Sequence, residues 1–311
     1  MNKTYMDSKA ENRMMASSEH QAIVQLSRPA LLTIVWISTL LASALPDILW
    51  QAYMASQVVW LLRAKVILLS ALVFLSFVWK PARPLRQYFI ILLLLVLLMS
   101  QGVLNWIETT LQGITIPPFN PHMFAIQLRG MGVSFIMIGV LFLMKRRRSD
   151  FFLAKGQLDA PVELGITRRL KWSHLALVFA ACSFLGALGY LLDAGQPDSN
   201  ILGQALLLSP VVILFAANNA FNEEMRYRSA MIAPVHDVVG KLQAILLSAV
   251  FFGLAHYSTG VPGGLVGVAL TAILGWLAGK SMLETKGFFW PWFMHFWGDA
   301  AIFLFIATGS I

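Results

Sequence analysis

Nine stretches of this chain are almost free of charge, at about 29–50, 57–79, 87–107, 122–145, 172–192, 203–233, 241–257, 264–280 and 288–308. A helix of roughly 20 apolar residues crosses the ~30 Å hydrocarbon core of a bilayer, so most of these runs are long enough to span it. Lipid offers no partner to backbone N–H and C=O groups, which restricts spanning segments to helices and closed barrels. No ten-residue alternating strands argue for a barrel. The expected fold is all-α, a polytopic integral membrane protein of eight or nine transmembrane helices, the run after Lys241 being short enough to be re-entrant. Composition agrees: 58% of the 311 residues are hydrophobic and 12% charged, and the mean hydropathy is +0.71, outside the range of soluble domains.

The connections alternate in charge. Arg28 precedes the first run, Lys80, Arg83 and Arg86 follow the second, Lys145–Arg148 with Arg168, Arg169 and Lys171 separate the fourth and fifth, and Lys280 and Lys286 precede the last. The intervening connections carry no basic residue. By the positive-inside rule the N-terminus is cytoplasmic and, with nine spans, the C-terminus lies on the far side. The formal charge of +8 is therefore orientation in a bilayer; the basic residues sit at the ends of apolar runs, which gives no nucleic-acid-binding face. Four segments follow: a polar cytoplasmic tail at 1–28, without the apolar core and cleavage site of a secretory signal; a leading four-helix block at 29–145; a basic connecting segment at 146–171; and a trailing membrane core at 172–311. The single Cys182 excludes an intrachain disulfide and a cysteine-built metal site, and is read as packing.

Against this background "FNEEMRYRSA", Phe221 to Ala230, is anomalous. Glu223, Glu224, Arg226 and Arg228 could be the wet end of a helix that stops at Glu223. However, the chain stays apolar from Ser229 until Pro234, so the helix is expected to run on and carry the charges into hydrocarbon, where ionisable residues mark functional sites. Glu224 and Arg228 stand at i and i+4 with the acid first, the favourable order for a helical ion pair; Glu223 points elsewhere and is left free for chemistry. Two further polar intrusions follow: "FFGLAH", ending in His256, and "FMHFWGDA", which puts His295 and Asp299 on one helix face. Each histidine alone reads as a hydrogen-bonded core residue. Three helices each contributing polar groups read as a site.

"EEMRYR", "FGLAH" and "HFWGD" fit, in order, the EExxxR, FxxxH and HxxxN/D motifs, and the chain over about 200–305 resembles the CPBP family of intramembrane glutamic endopeptidases, which includes the eukaryotic prenyl-CAAX protease and many bacterial homologues. The resemblance implies a multi-pass protein of the bacterial inner membrane that hydrolyses a membrane-anchored protein or peptide. Glu223, assisted by His256, would activate a water; His295 and the residue at 299 would stabilise the oxyanion; Arg228 would orient the acidic pair. This chain departs from the prenyl-CAAX enzymes in having Asp299 in place of Asn. A carboxylate cannot donate to an oxyanion, so Asp299 would orient His295 instead. No cofactor is implied. Glu, His, His and Asp from three helices are also a plausible Zn²⁺ or Mn²⁺ set, with Glu224 as ligand or base, although HExxH is absent. A transporter or scaffold with a buried polar site is the non-catalytic alternative; the inverted repeats that would favour a transporter are not visible.

In the leading block Asp47, Arg63, Lys65, Gln101, Asn105, Glu108 and Arg129 recur at one end of the spans. They read either as snorkelling and mutual pairing or as a polar vestibule in which Arg63, Lys65 and Arg129 bind the substrate. Gly263–Gly267 and Gly275–Gly279 have the spacing of close helix contacts, read as internal packing. Trp290, Trp292 and Trp297 crowd the last run, with Trp290 expected in the interfacial belt.

Overall fold

The computed structural model describes residues 26–54, 59–111, 114, 119–163, 170–195 and 201–308. Most of the N-terminal tail, Arg168 and Arg169 lie outside these residues. The elements are α1 (Arg28–Ala42), α2 (Leu45–Met54), α3 (Val59–Val78), a 3₁₀ segment (Lys80–Leu85), α4 (Arg86–Leu98), α5 (Gln101–Thr110), α6 (Pro121–Leu143), α7 (Trp172–Gly195), α8 (Ile201–Glu223), α9 (Lys241–Ala255), α10 (Gly264–Thr285) and α11 (Phe289–Ala307). An isolated antiparallel bridge joins Pro161 to Lys171.

Among the described residues six helices are long and apolar enough to span a bilayer: Trp60–Val78, Lys80–Leu98, Pro121–Leu143, Trp172–Asp193, Gly203–Ile232 and Gly264–Thr285. The bent pair α1–α2 makes a seventh if it counts as one span. That is fewer than the eight or nine read from the runs, and the shortfall has a physical source. α9 is only 15 residues long; α11 has 19, but Pro291, His295, Asp299 and three tryptophans dilute its hydropathy. Both lie against protein, packed on α10, α7 and α8, so neither needs a fully lipid-compatible surface. Elsewhere the outer faces are apolar, with Leu143, Leu207 and Leu265 largely exposed, as lipid contact requires. The chain is an integral multi-pass membrane protein. Cys182 is exposed, not packed.

Two of the expected spans are broken. α1 and α2 meet at 52° across Ser43 and Ala44, just before Pro46, whose missing N–H and ring bulk interrupt the helical ladder. The run at 87–107 breaks at Met99 and Ser100 between α4 and α5. Each break leaves carbonyls that a cation covers. Lys65 Nζ donates to Ser43 O at 2.7 Å, and Arg129 Nη1 donates to Met99 O at 3.2 Å and Ser100 O at 3.4 Å.

The segment after α6 is no loose linker. Phe151 and Phe152 are buried in the same core as α1, α4, α9 and the end of α8, while Ala160 and Val162 pack with α7, α10 and α11. Trp290 is buried with its Nε1 donating to Leu158 O at 2.9 Å. It therefore anchors this segment instead of joining an interfacial belt: an indole N–H taken out of water needs an acceptor, and Leu158 supplies one. The leading and trailing blocks are joined as well, through Trp36 Nε1 to Gln243 Oε1 at 2.9 Å and Arg28 Nη2 to Val239 O at 3.3 Å.

Candidate active site

The helix that carries the charged decapeptide does continue past Glu223, but not as a regular α-helix. Glu224–Ser229 form one π turn and Ala230–Ile232 a closing α turn before the chain reverses at Pro234. A π turn widens the helix by about one residue and re-aims the side chains that follow; such turns gather at functional sites. All six residues of the turn are buried, which rules out a wet helix end. Glu224 and Arg228, both 0% exposed, lie 3.2 Å apart, and the Arg228 guanidinium sits 3.8 Å over the Phe252 ring, a cation–π contact strengthened by desolvation. Gly275 permits this crowding, because a Cβ there would stand 3.2 Å from Ala249 Cα and 3.5 Å from Arg228 Nη2; this is internal packing of the kind the glycine spacing predicts. Arg226 turns the other way, its Nε bonded to Asn222 O at 2.9 Å and its Nη1 to the Met99 sulfur at 2.8 Å. Its Nη2 reaches Glu223 at 3.7 Å.

His256 closes α9, and Ser248 on the same helix bonds to Tyr227 O at 2.6 Å, fixing α9 against the π turn. The His256 Nδ1 lies 2.9 Å from Phe252 O. A carbonyl can only accept, so Nδ1 carries the proton and Nε2 is turned toward Glu223. That nitrogen stands 3.6 Å from Glu223 Oε2. On α11, His295 is held in the same manner by a carboxylate: its Nδ1 is 2.8 Å from Glu224 Oε1, which leaves Nε2 at 3.5 Å from Glu223 Oε2 and 3.5 Å from Asp299 Oδ1. Glu223, Glu224, Arg228, His256, His295 and Asp299 are thus brought together from three helices. The contacts from Glu223 to the two rings are longer than hydrogen bonds and close enough for one small group to bridge them.

Sequence reasoning missed a set of amides behind Asp299. Asn219 Nδ2 donates to Asp299 Oδ2 at 3.0 Å, Gln127 Nε2 donates to Asn219 Oδ1 at 3.1 Å, and Asn218 Nδ2 donates to Gln127 Oε1 at 2.6 Å. The signal was present in "NNAFNEE", where Asn219 precedes Glu223 by one helical turn, and in Gln127 in mid-span. Ser229 donates its hydroxyl to Phe151 O and ties the π turn to the connecting segment.

The site opens into a cavity of about 1070 Å³ lined by both blocks. Glu223, Arg226, His256, His295, Asp299 and Asn219 form one wall; Asp47, Lys65, Gln101, Asn105 and Arg129 belong to the other side. Arg63 is exposed and does not line this cavity, because two residues along an α-helix turn a side chain about 200° away from Lys65. Glu108 pairs with His122 instead of lining it, and Lys65 pairs with Asp47. Among the described residues no group of three or more His, Cys, Asp or Glu is arranged to hold a metal ion.

Residues 205–301 match the sequence model of the Rce1-like family, described as type II CAAX prenyl endopeptidases. The matched stretch contains all three motifs, in agreement with the resemblance they carry. The similarity to membrane endopeptidases of the CAAX class therefore covers α8 to α11. No curated protein and no solved structure matches the chain.

Proposed function

We propose that the protein is an intramembrane glutamic endopeptidase that hydrolyses a peptide bond of a membrane-anchored substrate with a water activated by Glu223 and His256. The observation that carries this reading is the convergence of Glu223 Oε2 and two imidazole Nε2 atoms at 3.5–3.6 Å, each ring held through Nδ1. A water on the cavity side of Glu223 Oε2 and His256 Nε2 would meet two proton acceptors; deprotonated by the carboxylate, its oxygen attacks the scissile carbonyl, and the proton passes to the leaving amine. His295, carrying protons on both ring nitrogens, donates from Nε2 to the oxyanion. Glu224 and Arg228 are positioning residues that hold the π turn and the His295 ring.

Asp299 as a carboxylate accepts hydrogen bonds and does not give them. We assign the amide donor to Asn219: it lines the cavity, and its Nδ2 keeps a second N–H beside the one given to Asp299. Electrostatic donors preset in a site screened from water are the largest source of rate in acyl-transfer chemistry. The leading block supplies the second wall of the cavity, with Lys65 and Arg129 facing the substrate; Arg63 has no part in it. On this reading the N-terminus and the basic connection at 145–171 face the cytoplasm of a bacterial inner membrane, which the excess of basic residues on that side supports.

The test is to compare the termini of membrane proteins from cells carrying wild type, Glu223→Ala or His256→Ala. A processed terminus lost in both variants supports the assignment and reveals the substrate, and equal processing in all three rejects it. Once a substrate is known, turnover should survive a chelator of divalent metals; activity abolished by chelation and restored by Zn²⁺ or Mn²⁺ would replace this mechanism with a metal-dependent one on the same residues.

A further inference from the structure

A second concavity of about 390 Å³, which shares no lining residue with the first, is lined by Arg148, Leu153, Ala154, Lys155, Phe221, Phe288, Phe289 and Trp292. Its floor is aromatic: Phe221 and Phe288 lie 5.4 Å apart, and Phe289 and Trp292 6.3 Å apart, between ring centroids. Its rim is cationic. Among the described residues neither the Arg148 nor the Lys155 side chain makes a hydrogen bond or ion pair, and the nearest acid along the chain, Asp150, is exposed and accepts from the Arg147 and Ser149 groups. Glu284, the acid on the adjoining end of α10, is taken by Lys280 and Trp172.

The groove is built and not incidental. Residues 154–157 are pinned to the turn between α10 and α11 by Phe288 N to Ala154 O at 2.8 Å and Gln157 N to Thr285 O at 2.8 Å. Gly156, at φ +77, lets the two backbones touch, since a Cβ there would stand 2.6 Å from Gly287 Cα. It also sits where the α6 span ends at Leu143 and α11 begins at Phe289, and basic residues just past an apolar span meet lipid headgroups. Unpaired cations over an aromatic floor at that depth complement one kind of molecule, an amphiphile with an anionic head and an apolar body. We propose that this groove binds an anionic phospholipid, its phosphate between Arg148 and Lys155 and its upper acyl carbons on Phe221, Phe288, Phe289 and Trp292. Its occupant contacts the chain two residues before Glu223 and three before His295, on the two helices that carry them.

Native mass spectrometry of the full-length protein, released from micelles with dioleoyl phosphatidylglycerol or dioleoyl phosphatidylcholine, tests this independently of any protease activity. Preferential retention of phosphatidylglycerol is expected, weakened about 30-fold in Arg148→Gln/Lys155→Gln on the basis of roughly 1 kcal/mol per cation near an anionic surface. The nearby pair Lys145→Gln/Arg147→Gln, which removes the same charge outside the groove, should change retention by less than about threefold. Equal retention of the two lipids, or equal loss in the two double variants, overturns the proposal. So does displacement of phosphatidylglycerol by millimolar inorganic phosphate, which would make this a free-anion site.

Discussion

Both halves of this molecule bury charge within membrane-spanning helices, and they do so in different ways. In the trailing block side-chain charges answer one another: Glu224 with Arg228 on its own turn and with His295 across helices, and Glu223 with Arg226 nearby and with His256 and His295 across helices. In the leading block Lys65 and Arg129 end largely on backbone carbonyls freed where a helix breaks. Charge–carbonyl pairing stabilises a bent helix and leaves no side chain with spare reactivity. The cross-helix arrangement leaves Glu223 Oε2 without a hydrogen bond among the described residues, facing a cavity. The same cost of burying an ion thus yields scaffold in one half and a chemically available carboxylate in the other.

That contrast can be broken by experiment, beginning with the largest effect. Glu223→Gln should lower substrate turnover about 10²–10⁴-fold, the usual worth of a general base, while the thermal midpoint of the purified protein stays within a degree or two of wild type. A large loss of stability would make Glu223 scaffold as well. Arg228→Met should do the reverse in kind, costing about 3–5 kcal/mol in a detergent or urea unfolding series because it leaves Glu224 buried without its cation; unchanged stability would show that Glu224 and His295 suffice as a pair.

A finer test concerns the donor. Asn219→Ala should lower kcat by about tenfold to a hundredfold with KM little changed, and the exchange Asn219→Asp/Asp299→Asn should recover more activity than either single change. An exchange no better than the singles would remove the amide from the chemistry. Ser229→Ala should cost about 1 kcal/mol, the net worth of one buried hydrogen bond, read as a lower unfolding midpoint with turnover per folded molecule preserved. Arg63→Gln marks the floor of the series: it should alter neither stability nor KM measurably, whereas Arg129→Gln, on the cavity, should raise KM.

Much of the site was legible because its signals are local. Glu224 and Arg228 at i and i+4, and His295 and Asp299 at i and i+4, are relations within single helices, and helical geometry alone puts each pair on one face. Signals between helices were not. Nothing in the spacing says that Asn219 bridges Gln127 on α6 and Asp299 on α11, or that the Phe151 carbonyl receives the Ser229 hydroxyl. The π turn was equally hidden, since a one-residue widening leaves hydrophobic periodicity almost unchanged over so short a stretch. Reading Trp290 as an interfacial residue failed because composition registers an aromatic near a membrane surface and cannot see Leu158 O folding over it. Counting apolar runs gave more spans than length and composition support among the described residues, the difference falling on helices packed against protein.

The sequence by itself determined that this chain lives in lipid, that it is helical, and that its ionisable residues fall on three late helices in the order of the CAAX-class motifs, because apolar run length and i, i+4 spacing are one-dimensional quantities. Only the tertiary structure decided that Asn219 and Gln127 back Asp299, that the leading helices wall the same cavity, and that the described part of the basic segment, at 146–163, packs as part of the core. Those depend on where separate helices meet and on how a π turn and two helix breaks redirect them, and distances between helices are not written along any one of them.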